Sequence, residues 1–254
     1  FFEGGVINTK GELVIPYSEN EVREISEGIA LIAKSYNEWG FTPLNGEKTF
    51  TDIYDFAWSF SEGLACVEKN NQWGFINTTG NIIIPCIYDK AYSFSEGLAL
   101  VVKDYKYGFV NAKGENIIQC VFDDAWTAFS ESLVPVKQEG KWGFIDTKGN
   151  IVIPCSYEEP RGFSEGLAGV KKKGRWGYIN KNGEEIIPFI YEEVGNFFEG
   201  LACVKQKGKW GFINKKGNEV IPFIYDEPGH YSNGLAQVCQ GEKYLIINKK
   251  GKVI

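Results

Sequence analysis

The stretch Phe197–Glu227, FFEGLACVKQKGKWGFINKKGNEVIPFIYDE, decides how the rest of the chain is read. Leu201 to Gln206 alternates and follows a glycine, which predicts a strand. Lys207-Gly208-Lys209 is a short turn. Trp210 to Asn214, aromatic and β-branched, predicts a second strand, and Lys215-Lys216-Gly217-Asn218 a second hairpin turn. Glu219 to Ile221 begins a third strand, which Pro222 should weaken or end because proline donates no ladder hydrogen bond. Tyr225 to Asn233 is a connector, with room for a turn of helix or a fourth short strand. The two faces of the first strand are both apolar. Leu201 and Cys203 point one way, Ala202 and Val204 the other. One meander of this size is not stable alone, so neighbours must cover both faces.

The neighbours are copies. Trp39-Gly40, Trp73-Gly74, Tyr107-Gly108, Trp142-Gly143, Trp176-Gly177 and Trp210-Gly211 recur at 34, 34, 35, 34 and 34 residues, and Tyr244 follows with leucine in place of glycine. Each is preceded by Ser-Glu-Gly or a variant, as at Ser61-Glu62-Gly63 and Ser164-Glu165-Gly166. Each is followed by a glycine turn, in most copies by Ile-Pro, and by an aromatic–acid pair such as Tyr88-Asp89 or Tyr225-Asp226. Seven units fit between residues 28 and 254. Residues 1–27 hold a partial, degenerate copy, in which GGVINTKGELVIP matches the second half of a unit. The chain therefore starts mid-repeat, which predicts a longer protein upstream, and residues 1–254 read as one repeat domain.

This unit resembles the WG (KWG) repeat family of bacterial proteins, whose signature is Trp-Gly followed by Phe-Ile-Asn and glycine. The resemblance implies an all-β repeat module that mediates interactions, and it brings no catalytic motif. The expected fold is a tandem array of seven three-stranded antiparallel meanders plus the partial repeat. A period of 34 is short for a four-stranded propeller blade and favours an open superhelical, solenoid-like array. A closed ring of seven or eight blades is the alternative.

Composition narrows the function. The chain has 30 glycines in 254 residues and 15% aromatics; the usual glycine share is roughly 7%. One histidine leaves little for imidazole metal sites or triads. A net charge of -6 argues against nucleic acid, and no apolar run is long enough for a membrane helix. No cofactor or metal is expected. The six cysteines show no Cys-x-x-Cys spacing. They occupy positions where other units carry apolar residues, so they read as small buried hydrophobes, with disulfides between adjacent units as the alternative. His230 reads as an exposed loop residue. The N-terminus names no compartment.

The recurring tryptophans and Tyr-Asp pairs read as packing and turn residues. The recurring glutamate, Glu27, Glu62, Glu96, Glu131, Glu165 and Glu199, is expected to accept hydrogen bonds from nearby backbone amides. A calcium row would need more oxygens than the pattern supplies. One column varies: Arg23, Trp58, Tyr92, Trp126 and Arg161, with Gly195 and Gly229 in later units. Arginines and aromatics beside glutamates suit a sugar, peptide or cationic ligand. Arg23, Trp58, Tyr92, Trp126 and Arg161, with Glu62, Glu96 and Glu131, are therefore the candidate ligand-binding residues. The other reading is that the column packs over the neighbouring unit and its glycines mark a tight crossing. Lysines before the signature aromatic and at hairpin tips predict a basic rim opposite an acidic one.

Three functions compete. The first is a non-catalytic scaffold for a protein or peptide partner. The second is a carbohydrate or cell-wall module using Trp58, Tyr92 and Trp126. The third is a hydrolase, which needs carboxylates such as Asp104, Asp123 and Asp124 to converge. Exposed rings in the column would favour sugar, and packed rings a general protein surface.

Overall fold

The computed structural model describes residues 6–7, 13–15, 21–45 and 53–254. All regular structure among them is β. Most of the partial N-terminal copy lies outside these residues. Its two described segments, Val6–Ile7 and Leu13–Ile15, pair antiparallel, as the second half of a unit should.

Each full unit is a separate antiparallel sheet, and none of the sheets closes into a barrel. In the repeat around Trp210, Leu201–Gln206, Lys209–Asn214 and Glu219–Tyr225 form a meander. A short strand, Glu193–Val194, adds to the outer edge of the first long strand. The connector thus supplies a fourth strand and no helix. The same four-stranded order recurs in the sheets Phe56–Tyr88, Lys90–Phe122, Asp124–Tyr157 and Glu159–Tyr191. The sheet Glu21–Pro43 has three strands and the pair Leu235–Gln240 and Lys243–Asn248 two. Pro222 does not end its strand, which runs on to Tyr225. It lies on the open edge, exposed, where its missing N–H leaves no partner unsatisfied.

Three turn chemistries set the register. In Ser61-Glu62-Gly63-Leu64 both central residues have positive φ, 54° and 81°, and Ser61 and Leu64 exchange backbone hydrogen bonds. This is the two-residue turn whose twist suits a hairpin. The loops at Asn70-Asn71 and Lys207-Gly208 have the same double positive φ. The third turn explains the Asn of Phe-Ile-Asn. The Asn77 side-chain oxygen accepts hydrogen bonds from the N–H groups of Thr79 and Asn81 at 3.1 and 2.9 Å.

The glycine of Trp-Gly has a different cause. The second and third long strands pair with one register shift across it, between Trp142 and Phe144, and another just after, between Phe144 and Ile145, and the third strand lies close against it. A β-carbon on Gly143 would lie 2.4 Å from the Ile153 carbonyl oxygen and 2.7 Å from the Cys155 nitrogen.

The contacts divide the chain into two compact units, Phe1–Phe122 and Asp123–Ile254. Inside each, the core lies between successive sheets. Leu201 and Cys203 pack with Ala236, Val238 and Ile247 of the sheet that follows. Ala202 and Val204 pack with Leu167 and Tyr178 of the sheet before. That is the two-faced burial the alternation requires.

Polar ties reinforce it. Glu62 accepts a hydrogen bond from Gly97 N–H at 2.8 Å, and Glu131, Glu165 and Glu199 do the same for Gly166, Gly200 and Gly234. The Ser61 and Ser164 hydroxyls donate to the Phe94 and Phe197 carbonyls of the next repeat. The acid of each aromatic–acid pair holds the first hairpin of the following sheet: Asp89 accepts from Asp104 N–H and Glu158 from Gly174 N–H.

The expectation of one basic and one acidic rim does not hold. Lys209 pairs with Asp226, which also accepts from the Gly241 N–H at a hairpin tip. Lys181, Lys215 and Lys249 pair with Glu131, Glu165 and Glu199 at 2.8–3.0 Å. Opposite charges interleave because the acids are needed where the turn amides are.

Candidate functional site

The variable column follows the short strand of each four-stranded sheet, and Arg23 lies within the strand Glu21–Ser26. The column's backbone N–H bonds to the middle of the first long strand: Trp58 to Cys66, Tyr92 to Leu100, Trp126 to Pro135, Arg161 to Gly169 and Gly195 to Cys203. At its glycine end the column is a close crossing. A β-carbon on Gly195 would meet the Cys203 sulfur at 2.5 Å, and one on Gly229 the Gln237 oxygen at 1.8 Å.

At the other positions the side chains differ. Trp58 and Trp126 are 46% and 38% exposed, and Tyr92 is half-buried. In the second unit, a β-carbon at Gly162 would come within 3.7 Å of the Trp126 ring. Arg161 lies over Trp176, 5.2 Å from the ring centroid. In the first unit Arg23 lies 5.7 Å from the Trp39 centroid and pairs with Glu21 at 2.6 Å.

Two clefts of the first unit gather the column residues Arg23, Trp58 and Tyr92. One, of about 600 Å³, lies among Arg23, Trp39, Asp55, Phe56 and Glu68. The other, of about 430 Å³, lies among Phe56, Trp58, Glu68, Trp73, Lys90 and Tyr92. They share Phe56 and Glu68. Phe56 is the centre of an aromatic cluster, with Trp39, Trp58 and Trp73 at centroid distances of 4.6, 5.2 and 5.9 Å. Glu68 stands directly across the hairpin from Trp73 and across the other edge from Phe56. Burial and the neighbouring Asp55 carboxylate push its pKa up, partly offset by the Trp73 indole.

Glu68 and Phe56 were missed by reading the repeat marks alone. The signal was available in the repeat register, since the position of Glu68 carries Lys137, Lys171 and Lys205 in other units. Glu62 and Glu131 are held by the amides of Gly97 and Gly166. Glu96 occupies the same left-handed turn position, exposed.

The remaining titratable groups have structural surroundings. Asp104 sits at a hairpin tip, Asp123 accepts from Glu139 N–H and Asp124 from Ala125 N–H. His230 is exposed, with an edge contact to Phe198 at 5.5 Å. All six cysteines are free thiols. Burial raises Cys66 well above the ordinary thiol value and pushes Cys203 up to about 11. Among the described residues no group of three or more His, Cys, Asp or Glu side chains could hold a metal ion, and no helix is long and apolar enough to cross a membrane.

Comparison with curated proteins gives no match. Among solved structures, a eukaryotic initiation factor aligns at 14% identity and TM-score 0.57, over 87% of this chain and 71% of that one. This likeness concerns the fold alone. BamB from Moraxella catarrhalis aligns at 10% identity and TM-score 0.45, over 92% and 86%. The computationally designed Ika8 protein aligns at 10% and 0.47, over 91% and 84%. The profile of the WG containing repeat matches residues 5–37, 51–73, 73–107, 107–142, 142–176, 176–210 and 210–244. With matches along nearly its whole length, five of them running from one signature aromatic to the next, the chain belongs to the WG-repeat family.

Proposed function

We propose that this chain is a non-catalytic binding module that presents its repeat surface to a protein or peptide partner, with the two clefts of the first unit as the seat. The observation that carries the reading is the aromatic cluster around Phe56. Its rings line two adjoining clefts, whereas Trp176 and Trp210 of the second unit are 5% and 8% exposed. Partly exposed rings with a carboxylate at their centre suit a binding hot spot. The absence of chemistry in this reading is supported by the recurring carboxylates, which serve backbone amides. A peptide array probed with wild type and with Trp58→Ala tests it. Peptides retained by the wild type and lost by a folded variant are expected. No peptide retained by the wild type would overturn it.

A second reading is a carbohydrate or cell-wall module. The exposure of the Trp58 and Trp126 rings favours it, because flat open rings stack on sugars. Sugar binding on a glycan and peptidoglycan array, lost in Trp58→Ala/Trp126→Ala, would establish it. No glycan signal from the wild type would sink it.

A further inference from the structure

We propose that the clefts of the first unit take a cationic side chain, a lysine ammonium or arginine guanidinium carried by a polypeptide partner, with its charge on Glu68 and its hydrocarbon stem across Trp73 and Phe56. The proposal rests on the binding-module reading above and names the chemistry of the partner.

The second unit fills the same three positions differently in its three four-stranded sheets. In each the short strand begins with an acid, the first long strand carries lysine opposite it, and the signature tryptophan faces that lysine across the hairpin; the two-stranded pair that follows carries Glu227, Cys239 and Tyr244 instead. Lys171 pairs with Glu159 at 2.6 Å and lies 5.9 Å from the Trp176 centroid. Lys205 pairs with Glu193 at 2.8 Å and lies 5.7 Å from the Trp210 centroid. Lys137 lies 5.7 Å from the Trp142 centroid. The fold therefore covers all three rings with a cation, held by a carboxylate over Trp176 and Trp210, an arrangement favoured by the ring quadrupole and by the apolar lysine stem.

In the sheet Phe56–Tyr88 the three positions read Phe56, Glu68 and Trp73. The lysine has become a carboxylate, and the acid that would hold it has become a ring. The tryptophan keeps its place, half-buried, and among the described residues no cation lies over its ring as Lys171 and Lys205 do over theirs. A cation from outside restores the combination of carboxylate, cation and ring. Charge in the clefts agrees. Glu68, Asp55 and Asp89 face Lys90 and Arg23, and Arg23 is already paired with Glu21. The whole chain, at -6, attracts a basic partner. A neutral sugar would use the rings and leave this charge arrangement without purpose.

The test follows the indole N–H signals of Trp58 and Trp73 in the full chain at low ionic strength, with pentalysine as ligand and pentaglutamate as control. Pentalysine is expected to shift both signals, and Glu68→Gln to weaken its binding about tenfold. Glu68→Lys, which installs the residue the second unit uses, should abolish binding. Phe56→Glu/Glu68→Lys rebuilds the whole arrangement and keeps the test alive if the single variant unfolds. No response to pentalysine, or equal affinity in wild type and Glu68→Gln, would overturn the proposal. An n-butylammonium response as strong as that of pentalysine would overturn the polypeptide as the source. A neutral peptide that moves the same indoles when pentalysine does not would defeat the cation and leave the binding module standing. Silence towards every ligand class would defeat both.

Discussion

The Glu131 carboxylate and the Gly166 backbone N–H, 35 residues apart in sequence, lie within hydrogen-bonding distance at 3.1 Å. The glutamate backbone is left-handed, with φ of 52°, a conformation that is uncommon for a side-chain-bearing residue. Its side chain gains what the backbone loses. It satisfies the amide of the next repeat's turn and also accepts from Lys181 at 3.0 Å. Glu131→Ala should destabilise the fold by about 1 kcal/mol, the value of a charge-assisted bond discounted for its exposure. Urea denaturation measures this, and Glu131→Gln, which keeps an acceptor, should lose less.

The same relationship sets the acid limit of stability. Burial raises the Glu131 pKa, but hydrogen bonds from Lys181 and Gly166 outweigh it and hold the carboxyl below its ordinary value. Lys249 lowers Glu199, and Lys209 lowers Asp226. Folded values below the unfolded ones mean stability that is present above the unfolded pKa and lost as pH falls through the folded pKa. The melting temperature should therefore fall on acidification below about pH 4, and less so in Glu131→Gln.

Glu68 carries the opposite sign. Its folded pKa is raised, first by burial and then by Asp55. The ionised form is disfavoured in the fold, so it costs stability above the folded pKa, and the cost disappears below the unfolded one. Glu68→Gln should raise the melting temperature at neutral pH and converge with wild type in acid. A melting temperature at pH 7 lowered by the substitution would contradict this. A residue whose removal stabilises the fold fits a site kept for binding.

Gly143 tolerates nothing larger. Gly143→Ala drives a methyl group into the Ile153 carbonyl and the Cys155 amide of the neighbouring strand, both backbone atoms. A loss of about 3 kcal/mol or more is expected. Gly174→Ala meets nothing within 4 Å but has φ of 74°, so its cost is the left-handed strain alone, about 1–2 kcal/mol. Thermal melts of the pair separate steric from conformational need.

Cysteine chemistry should be silent in the native state. Burial keeps Cys66 and Cys203 in the thiol form at neutral pH, and the thiolate is the reactive species. Both should resist an aromatic disulfide reagent at pH 8 until denaturant is added. Rapid native labelling of either would contradict their burial.

The repeat, the strands and the turns were legible in the order of the residues, because these depend on short-range rules. Alternation at Leu201–Val204 showed that both faces need cover, glycine and asparagine marked left-handed and bonded turns, and a recurring glutamate pointed to a backbone amide. Pro222 misled, since edge position decides whether a missing N–H matters. Which tryptophans are covered and which are open emerged from the packing of strand on strand. It also showed that Asp226 and Lys209 share one rim, and that a strand crossing at Ile153 makes Gly143 indispensable. The reason is distance. Each of these outcomes depends on a partner from another strand or another repeat. For Glu68 the partners are Phe56 and Trp73, and the change at one register position becomes visible as a site only when the three stand side by side.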